Sequence, residues 1–168
     1  MATRFQMVVI PPTFIHLNGY GGNKFIRKKF MHIDKSTISK YTAYFHDGSL
    51  IAIDYGKDDT ELTLTMESAE VDPEDIKDPI HLSEEERIKG KLHLKGIKNI
   101  YIDDEKLSTP LKMNYDDGSI FDLEIKDNTV LLDINWCNYP PKNEVNDFST
   151  ITIEVEDVCW ENTPHLET

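Results

Sequence analysis

Hydrophobic and polar positions alternate with a period of two from residue 41 to residue 67. Tyr41, Ala43 and Phe45 fall on one face of an extended chain. Asp47-Gly48 interrupts, Ile51, Ile53 and Tyr55 alternate again up to Gly56-Lys57-Asp58-Asp59, and Leu62, Leu64 and Met66 resume the pattern. A strand with one buried face requires this period. Asp-Gly between two such runs predicts a two-residue type I′ hairpin, because that turn needs positive φ at both central positions. The expectation is a three-stranded meander.

The pattern returns 70 positions later without a gap. Tyr115-Asp116-Asp117-Gly118-Ser119-Ile120-Phe121 lies under Phe45-His46-Asp47-Gly48-Ser49-Leu50-Ile51. Leu123, Ile125, Leu132, Ile134 and Trp136 lie under Ile53, Tyr55, Leu62, Leu64 and Met66, and Asp127-Asn128 recurs under Lys57-Asp58. This reads as an internal duplication. A long link then leads to one more strand-like run in each half. In the first half it runs from Asp72 to Lys89, where Ser83-Glu84-Glu85-Glu86 can cap a helical turn ending at Gly90. Leu92, Leu94, Ile97, Ile100 and Ile102 form the first of these runs, and Ile151, Ile153, Val155, Val158 and Trp160 match it with one residue deleted near Gly96-Ile97, which predicts a bulge. The predicted fold is mostly β, a single domain over 1–168. Two related four-stranded meander units, 41–104 and 111–162, pack as a β-sandwich or flattened barrel behind an N-terminal extension, 1–40. In that extension residues 5–10 read as a strand, 17–23 as a glycine-rich loop, and 25–33 as a helix or a strand. Trp136 and Trp160 are expected in the core.

A chain of 168 residues with 39% hydrophobic content fills a core without staples. The only two cysteines, Cys137 and Cys159, form no Cys-x-x-Cys pair and read as free thiols. The longest N-terminal apolar run, Met7-Val8-Val9-Ile10, is too short for a signal core or a membrane span, so a cytoplasmic protein with no membrane role is expected. Charge adds an asymmetry. Residues 1–44 hold seven basic side chains against one acid, and the rest hold eleven against thirty, within a net charge of −13. Either the basic segment docks on the acidic remainder, the preferred reading, or the two surfaces face different partners. Nucleic acid is disfavoured as a partner because acidic surfaces repel phosphate.

Phe45-His46-Asp47, Leu50, Ile53, Leu62-Thr63-Leu64, Leu92-His93-Leu94 and Gly96-Ile97 give the chain a family likeness. It resembles a loose group of small bacterial domains that includes immunity proteins of polymorphic toxin systems and related uncharacterised domains. The resemblance covers about 41–104, and 111–162 more weakly; it implies a small β-rich fold without catalytic activity. The second half departs from it, with Asp116 where the first has His46 and no glycine matching Gly96.

Catalytic templates find no match. His46-Asp47 enters a turn instead of a helix that would seat a metal shell. The six histidines include no pair at i, i+2 or i, i+4, so no metal site is assigned, although one assembled from distant strands stays open. Asp58-Asp59, Asp103-Asp104-Glu105 and Asp116-Asp117 lack the alternating ligands of a calcium loop. Gly19-Tyr20-Gly21-Gly22-Asn23-Lys24 has no Ser or Thr after its lysine, and Ser49 and Ser119 lie in no nucleophile motif. No catalytic residue and no cofactor is assigned. The link from Asp72 to Glu86 carries more charge than a connection needs. Asp72, Glu74, Asp75, Asp78, Glu84, Glu85 and Glu86 are therefore the candidate partner-binding residues. The leading expectation is a non-catalytic binding or inhibitory protein that engages a basic protein partner through an acidic surface. The alternatives are a small-ligand binder or hydrolase-type enzyme with a site assembled across strands, and a self-associating structural subunit.

Overall fold

The computed structural model describes residues 32–113, 115–138 and 147–163. Expectations for 5–10, 17–23 and nearly all of 25–33 therefore lie outside the described residues, as does most of the basic segment; of its described lysines, Lys35 donates to Asp127 O. Ten strands are present among the described residues: β1 His32–Asp34, β2 Ser49–Tyr55, β3 Glu61–Glu70, β4 Arg87–Lys95, β5 Asn99–Ile102, β6 Glu105–Lys106, β7 Asp117–Lys126, β8 Thr129–Cys137, β9 Asp147–Glu154 and β10 Asp157–Asn162. Helical structure among the described residues is confined to α1 (Lys35–Ile38) and two 3₁₀ turns, Thr42–Phe45 and Pro73–Asp75. No helix there is long and apolar enough to cross a membrane.

The strands form one antiparallel sheet in the order β1-β10-β4-β3-β2-β7-β8-β9-β5-β6. Alternation explains its faces. Leu62, Leu64 and Met66 of β3, Leu92 and Leu94 of β4, Val130, Leu132 and Ile134 of β8, and Ile151 and Ile153 of β9 all join one buried cluster. Their sequence neighbours stay at least partly exposed. Because no helical layer among the described residues covers this face, the sheet curves across itself to bury it, giving a flattened, unclosed barrel of the kind the mostly β reading describes. Among the described residues its outermost strands are β1, with three residues, and β6, with two.

Several details differ from the sequence reading. Tyr41–Phe45 is not a strand. A 3₁₀ turn covers Thr42–Phe45, and Asp47 follows with φ 61°. Asp47-Gly48 therefore makes no hairpin; instead it joins the two halves. Asp47 N donates to Ile120 O at 2.9 Å and Ile120 N to Gly48 O at 2.8 Å, beside the pairs Ser49↔Ser119 and Leu50↔Gly118. Gly118 likewise lies inside β7, and Gly90 lies inside β4 instead of ending a helix. The run from Leu92 to Ile102 is two strands. β5 turns away at Gly96 (φ 64°) and pairs with β9, while β10 pairs with β4, so the last strand of each half completes the other half.

The 70-residue register holds only in part. A bulge leaves Ile51 unpaired between Leu50 and Ala52, and another leaves Phe121 unpaired between Ile120 and Asp122. Beyond the next turn the register slips by two: Leu50 pairs with Met66, but Ile120 pairs with Ile134. The cause is the turn itself, which spans 56–60 in the first half and only Asp127-Asn128 in the second.

Candidate functional site

The acidic link is fixed at both ends. Val71 and Ile80 are buried, Val71 N donates to Glu86 O at 2.8 Å, and Leu82 bridges Ile88. Asp72 caps the Pro73–Asp75 turn by accepting from Glu74 N at 2.9 Å, and Asn162 Nδ2 donates to Pro79 O at 3.1 Å. With the apolar residues inward, Asp72, Glu74, Asp75, Asp78, Glu84, Glu85 and Glu86 are all exposed. The predicted helical turn at Ser83 does not form. Glu86 N donates to Ser83 O, Glu86 takes φ 55°, and β4 begins at the next residue, leaving no room to propagate a helix.

Of the predicted residues, Glu84, Glu85 and Glu86 come together. With Glu67 and Glu70 they line an open depression of about 600 Å³ around Arg87. Asp72, Glu74, Asp75 and Asp78 do not line it. Arg87 Nη1 donates to Ser68 O at 3.1 Å and lies 3.8 Å from Glu67, which also pairs with Lys89 at 3.1 Å. Glu67 and Glu70 escaped the sequence reading because they lie at the end of an amphipathic strand, where acids look like ordinary solvated positions.

A second feature lies on the outer face of the other strands. β2, β7, β8 and β9 carry one basic residue, Lys126, against seven acids. In β3, β4 and β10 the balance is four bases to five acids. The acidic face also bears the large exposed apolar residues Ile51, Phe121 and Phe148, at 41%, 59% and 49% exposure. Phe121 and Phe148 meet at 6.2 Å between ring centroids and 76° between planes, and His46 lies 5.3 Å from Phe121. The bulges are the cause for Ile51 and Phe121, since an extra residue falls out of the inward alternation. Asp47, Asp122 and Asp147 flank the rings in sequence, and Tyr115 Oη donates to Asp147, a bond that raises the Tyr115 phenol pKa.

A polar cluster crosses the outer face of β3, β4, β10 and β1. Thr63 Oγ1 lies 3.1 Å from His93 Nδ1, and His93 Nε2 lies 2.8 Å from Glu161. Cys159 pairs directly across from His93, and its sulfur is 3.9 Å from His32 Nδ1. Burial pushes the Cys159 thiol pKa up, which holds it in the protonated form. Sequence spacing missed this cluster because its histidines come from different strands. Among the described residues no three imidazole, thiol or carboxylate groups are arranged to hold a metal. Both cysteines are free thiols.

A smaller cavity of about 210 Å³ lies between Tyr55, Asp59, 97–100 and 106–110. Tyr55 Oη accepts from Leu111 N at 2.8 Å, and burial raises its phenol pKa. No family model, curated protein or solved structure matches the chain.

Proposed function

We propose that the protein binds a basic protein partner through its acidic surface and catalyses no reaction, in the manner of the immunity proteins it resembles. The supporting observation is the grouping of Glu67 and Glu70, at the end of β3, with Glu84, Glu85 and Glu86, on a link fixed by buried Val71 and Ile80. Carboxylates held on a rigid scaffold present a charge field without an ordering cost at binding. That field steers a cationic partner into encounter. The same field repels phosphate, which argues against nucleic acid. The two free thiols suit a reducing cytoplasm.

The test is association with a basic protein isolated on the immobilised chain. The on-rate should fall roughly tenfold or more as the Debye length shortens from about 10 Å at 0.1 M salt to about 3 Å at 1 M. Replacing Glu84, Glu85 and Glu86 together by Gln should slow association further and leave the fold intact. Salt-independent association would remove the electrostatic argument, and turnover of a small substrate by the purified chain would overturn the non-catalytic reading.

A further inference from the structure

The outer-face aromatic pair gives the proposed partner a more specific chemistry. Phe121 and Phe148 are each about half exposed and meet near a right angle, so their rings wall a corner open to solvent. A corner of bare apolar surface would by itself suit an apolar side chain. The surroundings argue otherwise. Asp122 adjoins Phe121, and Asp47 adjoins the His46 ring that packs on Phe121, with both aspartates exposed. The strands that carry the rings hold a single basic residue, Lys126, at the far end of β7. A purely apolar occupant would strip water from these carboxylates and return nothing to them.

We infer that this corner receives an arginine side chain of the basic partner, its guanidinium flat on a phenylalanine ring and its N–H fork turned to the flanking aspartates. The inference rests on the acidic-surface reading above and narrows its partner class. Charge complementarity calls for a cation. Ring geometry selects arginine over lysine, because a guanidinium is planar, weakly hydrated and matched to a carboxylate, whereas an ammonium is a compact, strongly hydrated point charge. Asp147 pairs across from buried Trp136 and bonds Tyr115, so it faces away from the corner and leaves Asp122 and Asp47 as the acceptors for the guanidinium. The bulge that expels Phe121 from the inward alternation is the local device that builds the site.

The test uses fluorescent oligoarginine and oligolysine peptides of equal length, titrated into the full chain at one salt concentration. The arginine peptide should bind roughly fivefold to tenfold more tightly than the lysine peptide. The double variant Phe121→Ser/Phe148→Ser should abolish that preference, and because both rings are exposed it should unfold at the same temperature as the parent. Glu84→Gln/Glu85→Gln/Glu86→Gln should weaken both peptides and keep their ratio. An arginine preference that survives in the phenylalanine variant overturns this site. Binding of both peptides without preference also overturns it, while leaving the acidic-surface reading standing. Failure of either peptide to bind removes both proposals.

Discussion

Gly90 and Gly118 are strand glycines set against the two tryptophans. A Cβ on Gly90 would lie 2.1 Å from Glu161 O and 2.8 Å from the Trp160 ring, and one on Gly118 would lie 2.8 Å from Ile134 and 3.2 Å from the Trp136 ring. Each indole is buried and satisfied, Trp136 Nε1 donating to Ser149 Oγ at 3.1 Å and Trp160 Nε1 to Asn162 Oδ1 at 2.7 Å. Replacing Gly90 by Ala should therefore cost about 1–3 kcal/mol in urea unfolding, since backbone must move to admit the methyl. Trp160→Ala should cost about 3–5 kcal/mol through the cavity it leaves. An unchanged midpoint in either variant would show the contact to be slack. The tryptophans were legible as core because they continue an apolar alternation. The glycines were not, since glycine beside aspartate or after a glutamate run is also what a turn or a helix end requires. At Cys159 the raised pKa leaves less thiolate at neutral pH, so alkylation should be slower than for a free cysteine and should accelerate only well into the alkaline range. Fast labelling at pH 7 would contradict the burial.

At the scale of elements, the exchange of final strands decides which parts hold the sheet together. β10 is paired on both sides, by β1 and β4, and β9 by β8 and β5, although β10 lies close to the chain's C-terminus and β5 follows β4 directly. Amides of Trp160, Leu94 and Ile153 should accordingly exchange with deuterium only through global unfolding, while β6, a two-residue edge, exchanges locally. Early exchange at Trp160 would mean that β10 detaches as a terminal strand. Alternation made β2, β3, β7, β8, β9 and β10 readable one by one, because side-chain period is a local property. Partner choice is not local. One residue more in the first half near Gly96 reads as a bulge within a strand, whereas the left-handed backbone there ends β4 and releases the chain to the other half. Tyr41–Phe45 misleads for a related reason: Tyr41 and Tyr44 pack on the core and Phe45 is wholly buried in a 3₁₀ turn. An aromatic triplet serves that geometry as well as a strand. The two halves carry bulges at equivalent places, Ile51 and Phe121, and differ by a two-residue slip in the turn that follows.

For the whole molecule, the acidic link was legible because composition alone marks a charged loop, but the aromatic corner depends on a register shift that no alternation pattern announces. Charge nevertheless sets a behaviour of the entire chain. Net −13 at neutral pH means that the free protein works against its own repulsion, and the ion pairs that offset it are partly exposed, as at Lys89–Glu67 and Lys98–Glu156. Salt screens both effects, yet repulsion among many like charges outnumbers a few exposed pairs. The melting temperature of the free chain should therefore rise by a few degrees as salt increases from about 0.01 M to about 0.3 M, where the Debye length shrinks from about 30 Å to below 10 Å. Over the same range association with a basic partner should slow, so fold and binding respond to salt with opposite signs. The Glu84→Gln/Glu85→Gln/Glu86→Gln variant separates the two contributions: with three fewer charges it should begin at a higher melting temperature and gain less from added salt. A melting temperature that falls with salt would mean that the cross-strand pairs outweigh the repulsion, and the acidic surface would then belong to the protein's own stability before any partner.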